Sequence, residues 1–306
     1  MDVKNYFKAA RLRTLPLSVS GIIVGSFLGN HWEEASSSAD SIVVSPIFWL
    51  AILTTIGFQV LSNFANDYGD GIKGTDDNRK GEARMVSSGA ITPAQMKRAM
   101  VVTTIFTMCI AIVLIYVAFG RKNFEYSVLF FVLGIASVAA AIKYTVGKSA
   151  YGYSGLGDVF VFLFFGLLSV VGSYFLFTKQ VDGIVFLPAI SIGFLSAAVL
   201  NLNNMRDQIE DKKHHKNTLV VMLGSQKAKL YHFSLIIAAF IVAVVYVELT
   251  FVSSIQYLFL IAFVPLFLNL KVVAQNILFS ELDGELKKVA LSTFLFAILF
   301  GIGQIL

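Results

Sequence analysis

Nine separate stretches of this chain, at roughly 14–30, 46–66, 99–119, 126–143, 158–177, 184–203, 231–249, 252–270 and 288–305, are apolar and almost free of charge. Crossing the hydrocarbon layer of a bilayer takes about 20 mostly apolar residues in a helix. None of the stretches alternates polar with apolar residues as a barrel strand does, so each is expected to be a helix that satisfies its own backbone. Pro16 suits the first turn of the first stretch, where the N–H it lacks would have no partner. The expectation is an all-α integral membrane protein of about nine transmembrane helices, forming one domain over residues 1–306.

Only 14% of the residues are charged and 57% are hydrophobic, against about 25% charged in a soluble domain. Too little polar surface exists to coat a globule in water, so the lipid bilayer is an expected partner. With the N-terminus cytoplasmic, 21 of the 24 Lys and Arg residues fall in cytoplasmic segments, and Arg121, Lys122 and Lys179 remain opposite. That asymmetry sets the orientation. It also explains the basic residues, so nucleic acid is not an expected partner. The first apolar stretch lacks a small-residue cleavage site and reads as a retained span. The single Cys109 has no intramolecular partner and reads as a packing residue.

Two loops on the basic face, at about 67–98 and 204–230, are longer than the others and collect acids and glycines. The first follows "LSNFANDYGD" and the second follows "LNLNNMRDQIED". Each contains Asn and Asp four apart, Asn63 with Asp67 and Asn203 with Asp207, and a further acid at Asp70 or Asp211. Such offsets return to one helix face, so each segment is expected to project an amide and two carboxylates. Amides inside an apolar span need partners and are usually functional.

Clustered hard oxygen donors suit Mg²⁺, which takes one or two carboxylates and completes its shell with water and phosphate. Two facing clusters would hold about two or three such ions and grip a diphosphate. Asn63, Asp67, Asp70, Asn203, Asp207 and Asp211 are the candidate metal ligands. Asn66, Lys73, Arg84, Lys148, Arg206 and Lys212 are candidates for the diphosphate itself, with Asn63 and Asn203. Asp76, Asp77 and Glu82 read as solvated loop charges. His214 and His215 are adjacent, point apart on a helix, and have no Cys nearby, so zinc is not expected.

A third segment, "KYTVGKSAYGYSGLGDVFVFLFFG" at 143–166, joins two spans on the same face. Its glycines and aromatics read as a tight turn. Tyr151 and Tyr153 read equally as lipid-headgroup anchors, whereas Tyr144 and Lys148 are better placed to line a polar pocket.

Taken together, "AARLRTLPLSVSGIIVG", "NFANDYGDGIKGTDD", "GEARMVSSGAIT", "YGYSGLGDVFVFLFFG" and "NNMRDQIEDKKHHKNTLVVMLG" resemble the UbiA superfamily of intramembrane aromatic prenyltransferases over nearly the whole chain. The forms "NDYGDGIKG" and "GLGDVFVFLFFG" are most similar to its 1,4-dihydroxy-2-naphthoate polyprenyltransferases of menaquinone synthesis. One departure is Gly74, where the superfamily's first motif often has a third acid; the next acid here is Asp76. The resemblance implies a UbiA-type helix bundle in the cell's inner (cytoplasmic) membrane, with a Mg²⁺-dependent active site on the cytoplasmic face. It implies polyprenyl diphosphate as donor, 1,4-dihydroxy-2-naphthoate as acceptor, and demethylmenaquinone and CO₂ as products. Asp67, Asp70, Asp207 and Asp211 would be catalytic, with Tyr144 near the allylic carbon or the acceptor. A sister enzyme using 4-hydroxybenzoate or homogentisate is the near alternative. A secondary transporter is the distant one, because transporter acids usually lie at the bilayer midplane.

Overall fold

A computed structural model describes residues 2–36, 41–74, 84–147 and 149–306. Among the described residues, nine helical segments are long and apolar enough to cross a membrane, and no strand is present. A short helix α1 (Val3–Ala10) turns through Arg11, at φ 48°, into α2 (Leu15–Ser36). Then follow α3 (Pro46–Lys73), α4 (Pro93–Phe119) and α5 (Phe124–Lys143). After the turn that carries Tyr151–Tyr153 come α6 (Gly157–Thr178) and α7 (Phe186–Lys213). The chain ends with α8 (Leu219–Leu223), α9 (Ser225–Leu249), α10 (Leu260–Gln275) and α11 (Asp283–Ile305).

The helices run past the ends of their apolar stretches. The peptide ladder does not stop where hydropathy does; it stops at a cap. Helix α3 continues to Lys73 and ends at Gly74, whose φ of 71° is the left-handed value that favours glycine. Helix α7 continues to Lys213, and α4 starts earlier than its apolar stretch, at Pro93 behind a Thr92–Gln95 capping box. The loop expected over 204–230 is therefore mostly helix, in α7, α8 and the first turns of α9. Both Asp-bearing segments ride on rigid helix ends.

Helix α2 is central, packing on α3, α6 and α11. Its contact with α6 is backbone to backbone: a Cβ at Gly25 would lie 2.1 Å from the Val170 carbonyl oxygen. Small residues allow this approach where lipid supplies no hydrophobic drive for helix association. Helix α3 carries α4 and α5, while α7 packs on α6, α9 and α11. Between α10 and α11 the rings of Phe259, Phe263, Phe296 and Phe300 interlock at 5.4–6.1 Å between neighbouring centroids and fill that half of the bundle. The other half is hollow.

Candidate active site

The hollow is a cavity of about 390 Å³ lined by residues of α2–α7. Helix α6 opens into a π-helical stretch at Phe162–Leu168, of which Phe164, Phe165 and Leu168 face the cavity. Widened turns of this kind recur at functional sites. One wall is an aromatic ladder: centroids lie 5.3 Å apart for Tyr144 and Tyr151, 3.9 Å for Tyr151 and Phe160, and 6.2 Å for Phe160 and Phe164. The Tyr151 hydroxyl donates to the Ala140 carbonyl at 2.8 Å. Burial, with Tyr144 alongside, pushes the Tyr151 phenol well above its ordinary value, so it stays protonated. Tyr151 is thus a wall residue, and the headgroup-anchor reading does not hold for it.

Helix α3 divides its polar residues between two faces. Gln59, Ser62, Asn66 and Asp70 line the cavity. Asn63 and Asp67 belong to the neighbouring face. The Asn63 amide donates to the Ala10 carbonyl at 2.8 Å and to Thr14 Oγ1 at 3.0 Å, tying α3 to the α1–α2 junction. Asp67 is fully buried, and its two oxygens accept the Met85 and Val86 amides at 3.0 and 2.9 Å. The expected common face for Asn63, Asp67 and Asp70 is therefore split: Asp67 orders the turn after residue 84, and Asp70 meets the cavity.

Asp70 is the centre of the polar mouth. Its carboxylate accepts from the Tyr153 hydroxyl at 2.8 Å and lies 3.9 Å from Arg84 and 3.6 Å from Lys216. Lys216 also lies 3.8 Å from Asp211, so one ammonium joins the two Asp-bearing segments. Lys73 donates to the Thr145 carbonyl at 2.8 Å, and Thr145 donates to Asn66 at 3.2 Å, fastening the chain after α5 onto α3.

On α7, Arg206 gathers its neighbours. It donates to both Asp207 oxygens and to Asn203 Oδ1, each at 2.8 Å, and to Asp283 at the start of α11. Arg13 stands 3.6 Å from the same Asp283. Arg13, Asn203 and Arg206 border a side pocket of about 80 Å³ that shares Arg11, Thr14, Arg84 and Asn203 with the main cavity, and to which Arg13, Arg206 and Lys287 add further positive charge. The combination is an apolar chamber with a mixed acid–base mouth and a basic annex.

Of the candidates named from the sequence, Asn66, Asp70, Arg84, Tyr144 and Asn203 line the cavity, and Arg206 lines its annex. Asp207 is held by Arg206, and Asp211 by Lys216. Lys212 is exposed and lines neither pocket; its expected place is taken by Lys216. Lys148, Asp76, Asp77 and Glu82 lie outside the described residues. No sequence pattern singles out Lys216 or Asp283, and Tyr153 reads from the sequence as a headgroup anchor rather than a partner of Asp70. No spacing marks Lys216: it reaches Asp70 because the chain reverses after α7, with His215 at φ 55° and the Lys216 amide donating to the Asp211 carbonyl at 2.8 Å.

The model that describes the UbiA prenyltransferase family matches residues 22–299 of this chain. The chain belongs to the UbiA prenyltransferase family. Among its relatives is the 1,4-dihydroxy-2-naphthoate octaprenyltransferase of Haemophilus influenzae, 39% identical over 312 aligned positions that cover 99% of this chain and 96% of the relative. The enzyme of the same name from Escherichia coli is 40% identical over 259 positions, covering 84% of this chain and 80% of that one. A solved UbiA homologue from Archaeoglobus fulgidus, bound to GPP and Mg²⁺, shares the fold with a TM-score of 0.64 at 14% identity, covering 98% of this chain and 99% of the other. The family expected from the motifs is found, as is the helical architecture expected from the apolar stretches, with nine candidate spans among the described residues; this UbiA chain is a multi-pass membrane prenyltransferase.

Among the described residues no three Asp, Glu, His or Cys side chains close into a metal cage. Mg²⁺ does not need one, because one or two carboxylates suffice when phosphate and water complete its shell. The buried carboxylates of Asp70 and Asp211 beside Lys216, with the amides of Asn66 and Asn203, are an all-oxygen donor set that fits such an ion.

Proposed function

We propose that this prenyltransferase moves a polyprenyl group from polyprenyl diphosphate to 1,4-dihydroxy-2-naphthoate, releasing CO₂ and diphosphate and giving the quinol form of demethylmenaquinone. The observation that carries the reading is the cavity itself: an aromatic-walled apolar chamber whose mouth holds Asp70, Arg84 and Lys216. An amphiphile with an apolar tail and a highly charged head matches both ends. The names of the Haemophilus and Escherichia relatives supply the naphthoate.

In this reading the tail lies along Phe160, Phe164 and Leu168, and the diphosphate sits at the mouth. Lys73, Arg84 and Lys216 stabilise the charge that gathers on the departing diphosphate as the allylic C–O bond breaks and its electron pair leaves with oxygen. Asp70 and Asp211, with Asn66 and Asn203, would hold Mg²⁺, which when bound neutralises further charge on the leaving group. The faces of Tyr144, Tyr151 and Phe160 stabilise the allylic cation, and the enclosed chamber keeps water from it. The basic annex fits the acceptor's carboxylate, aligning the ring carbon that bears it for attack. The new C–C bond forms at that carbon, and loss of CO₂ restores the aromatic ring. In this reading the mouth faces the cytoplasm of the inner membrane, an orientation that the excess of Lys and Arg in the loops around it supports.

The charged lining residues, Arg11, Asp70, Arg84 and Lys216, collect at one end of the chamber rather than at mid-span, which favours an enzyme over a transporter. The test is full-length enzyme in detergent with Mg²⁺, a polyprenyl diphosphate and a panel of aromatic acids, read by product mass. A prenylated, decarboxylated naphthoquinol is expected; absence of any prenylated aromatic product contradicts the proposal.

A further inference from the structure

We infer that Tyr153 is a positioning residue for the donor's diphosphate: its ring holds the ammonium groups of Lys73 and Lys216 while its hydroxyl anchors Asp70. Lys73 Nζ lies 3.8 Å from the centroid of the Tyr153 ring and Lys216 Nζ lies 5.4 Å from it. The Tyr153 hydroxyl donates to Asp70 Oδ1 at 2.8 Å. Its carbonyl accepts the Asn217 amide at 3.2 Å. One residue thus ties together the end of α3, the α5–α6 turn and the chain after α7.

Two cations beside one ring is an arrangement with a purpose to explain. Like charges repel, and an exposed lysine such as Lys73 otherwise spends its time extended in water. Ordering a lysine side chain costs conformational free energy. The quadrupole of the Tyr153 ring attracts both ammonium groups, and the Asp70 carboxylate, 3.6 Å from Lys216, balances their charge. That ordering is done before the ligand arrives, so the diphosphate meets two cations already placed, and less of its binding energy is lost in arranging them. The ring never needs to touch the substrate.

The inference rests on the proposed reading that the Asp70 end receives the diphosphate. Its test is binding of inorganic pyrophosphate to the full-length protein in detergent with EDTA, by calorimetry, for wild type, Tyr153→Phe and Tyr153→Leu. Wild-type protein is expected to bind, the Phe variant to bind within about threefold of it, and the Leu variant to bind about tenfold more weakly. A parallel steady-state assay is expected to show the Leu variant raising KM for the donor while leaving KM for the acceptor unchanged. A Leu variant that binds pyrophosphate as well as the Phe variant overturns the positioning role. Loss of binding in both variants alike overturns the part given to the ring. Wild-type protein that does not bind pyrophosphate sinks the underlying diphosphate reading instead. Thermal melting of each variant identifies any that fail to fold, and in that case Tyr153→His, a smaller aromatic, replaces the Leu variant and is expected to bind between wild type and Lys73→Met/Lys216→Met; His binding no better than that double variant overturns the role.

Discussion

The Lys216 ammonium stands 3.6 Å from the Asp70 carboxylate, linking the end of α3 to the chain that follows α7. Both side chains are buried, at 9% and 2% exposure, so neither charge is screened well by water. Removing Lys216 leaves Asp70 and Asp211 short of a shared cation, whereas removing Lys212, which is exposed, removes none. Lys216→Met is expected to lower kcat/KM for the donor by about a hundredfold, and Lys212→Met to stay within about twofold of wild type. Equal effects from the two substitutions contradict the placement of Lys216 at the mouth.

The two acids of α3 are expected to fail differently. Asp70→Asn removes a charge from the cavity mouth and is expected to cut turnover at least about a hundredfold. Asp67→Asn puts an amide N–H₂ against one of two backbone N–H groups, in a site with no exposure to water. Leaving a buried donor unsatisfied costs about 1–3 kcal/mol, so a melting temperature lower by a few degrees is expected along with lost activity. Differential scanning fluorimetry on both variants in the same detergent checks this; an Asp67→Asn protein as stable as wild type speaks against its structural role.

Gly152 decides where Tyr144 sits. A Cβ there would lie 2.6 Å from the Tyr144 carbonyl oxygen and 3.1 Å from its ring. Gly152→Ala is therefore expected to displace the Tyr144 ring from the cavity wall and to lower kcat about tenfold or more, since small misplacements at a reacting centre are costly. Unchanged kcat in a folded Gly152→Ala protein argues that Tyr144 has no part in catalysis.

Divalent metal dependence follows from the donor set. Asp70, Asp211, Asn66 and Asn203 offer oxygen alone, the chemistry of Mg²⁺ rather than zinc. EDTA is expected to abolish prenyl transfer and Mg²⁺ to restore it. Restoration by zinc alone, or full activity in EDTA, contradicts the assignment.

Much of this was legible in the sequence because apolar length and clustered acids are local signals. Each of the nine apolar stretches corresponds to a candidate span among the described residues, although several helices run well beyond them, α3 to Lys73 and α7 to Lys213, and the Asp-bearing segments lie at the helix ends as expected. What was not legible is which helix face meets the cavity. Asn63 with Asp67 and Asn66 with Asp70 have the same spacing of four, so periodicity cannot choose between them. The choice is made by tertiary contacts, the α1–α2 junction taking Asn63 and the turn after residue 84 taking Asp67. Lys216 and Asp283 were missed for a similar reason. Each reaches the site through a chain reversal or from a distant helix, and no short-range pattern encodes that meeting. Tyr153 was visible as an aromatic at the interface, but lipid and a lysine pair attract such a ring alike.

The acceptor is tested most directly by competition. Equal concentrations of 1,4-dihydroxy-2-naphthoate, labelled at its carboxyl carbon, and 4-hydroxybenzoate are given to the enzyme with Mg²⁺ and a polyprenyl diphosphate. In the proposed reading the acceptor site takes two fused rings, so a single ring is held loosely there, and loose positioning lowers the chance of attack on a short-lived cation. The expected result is prenylated naphthoquinol lacking the carboxyl mass, with one labelled CO₂ released per product. A dominant benzoate product, or a naphthoate product that keeps its label, contradicts the proposed reaction.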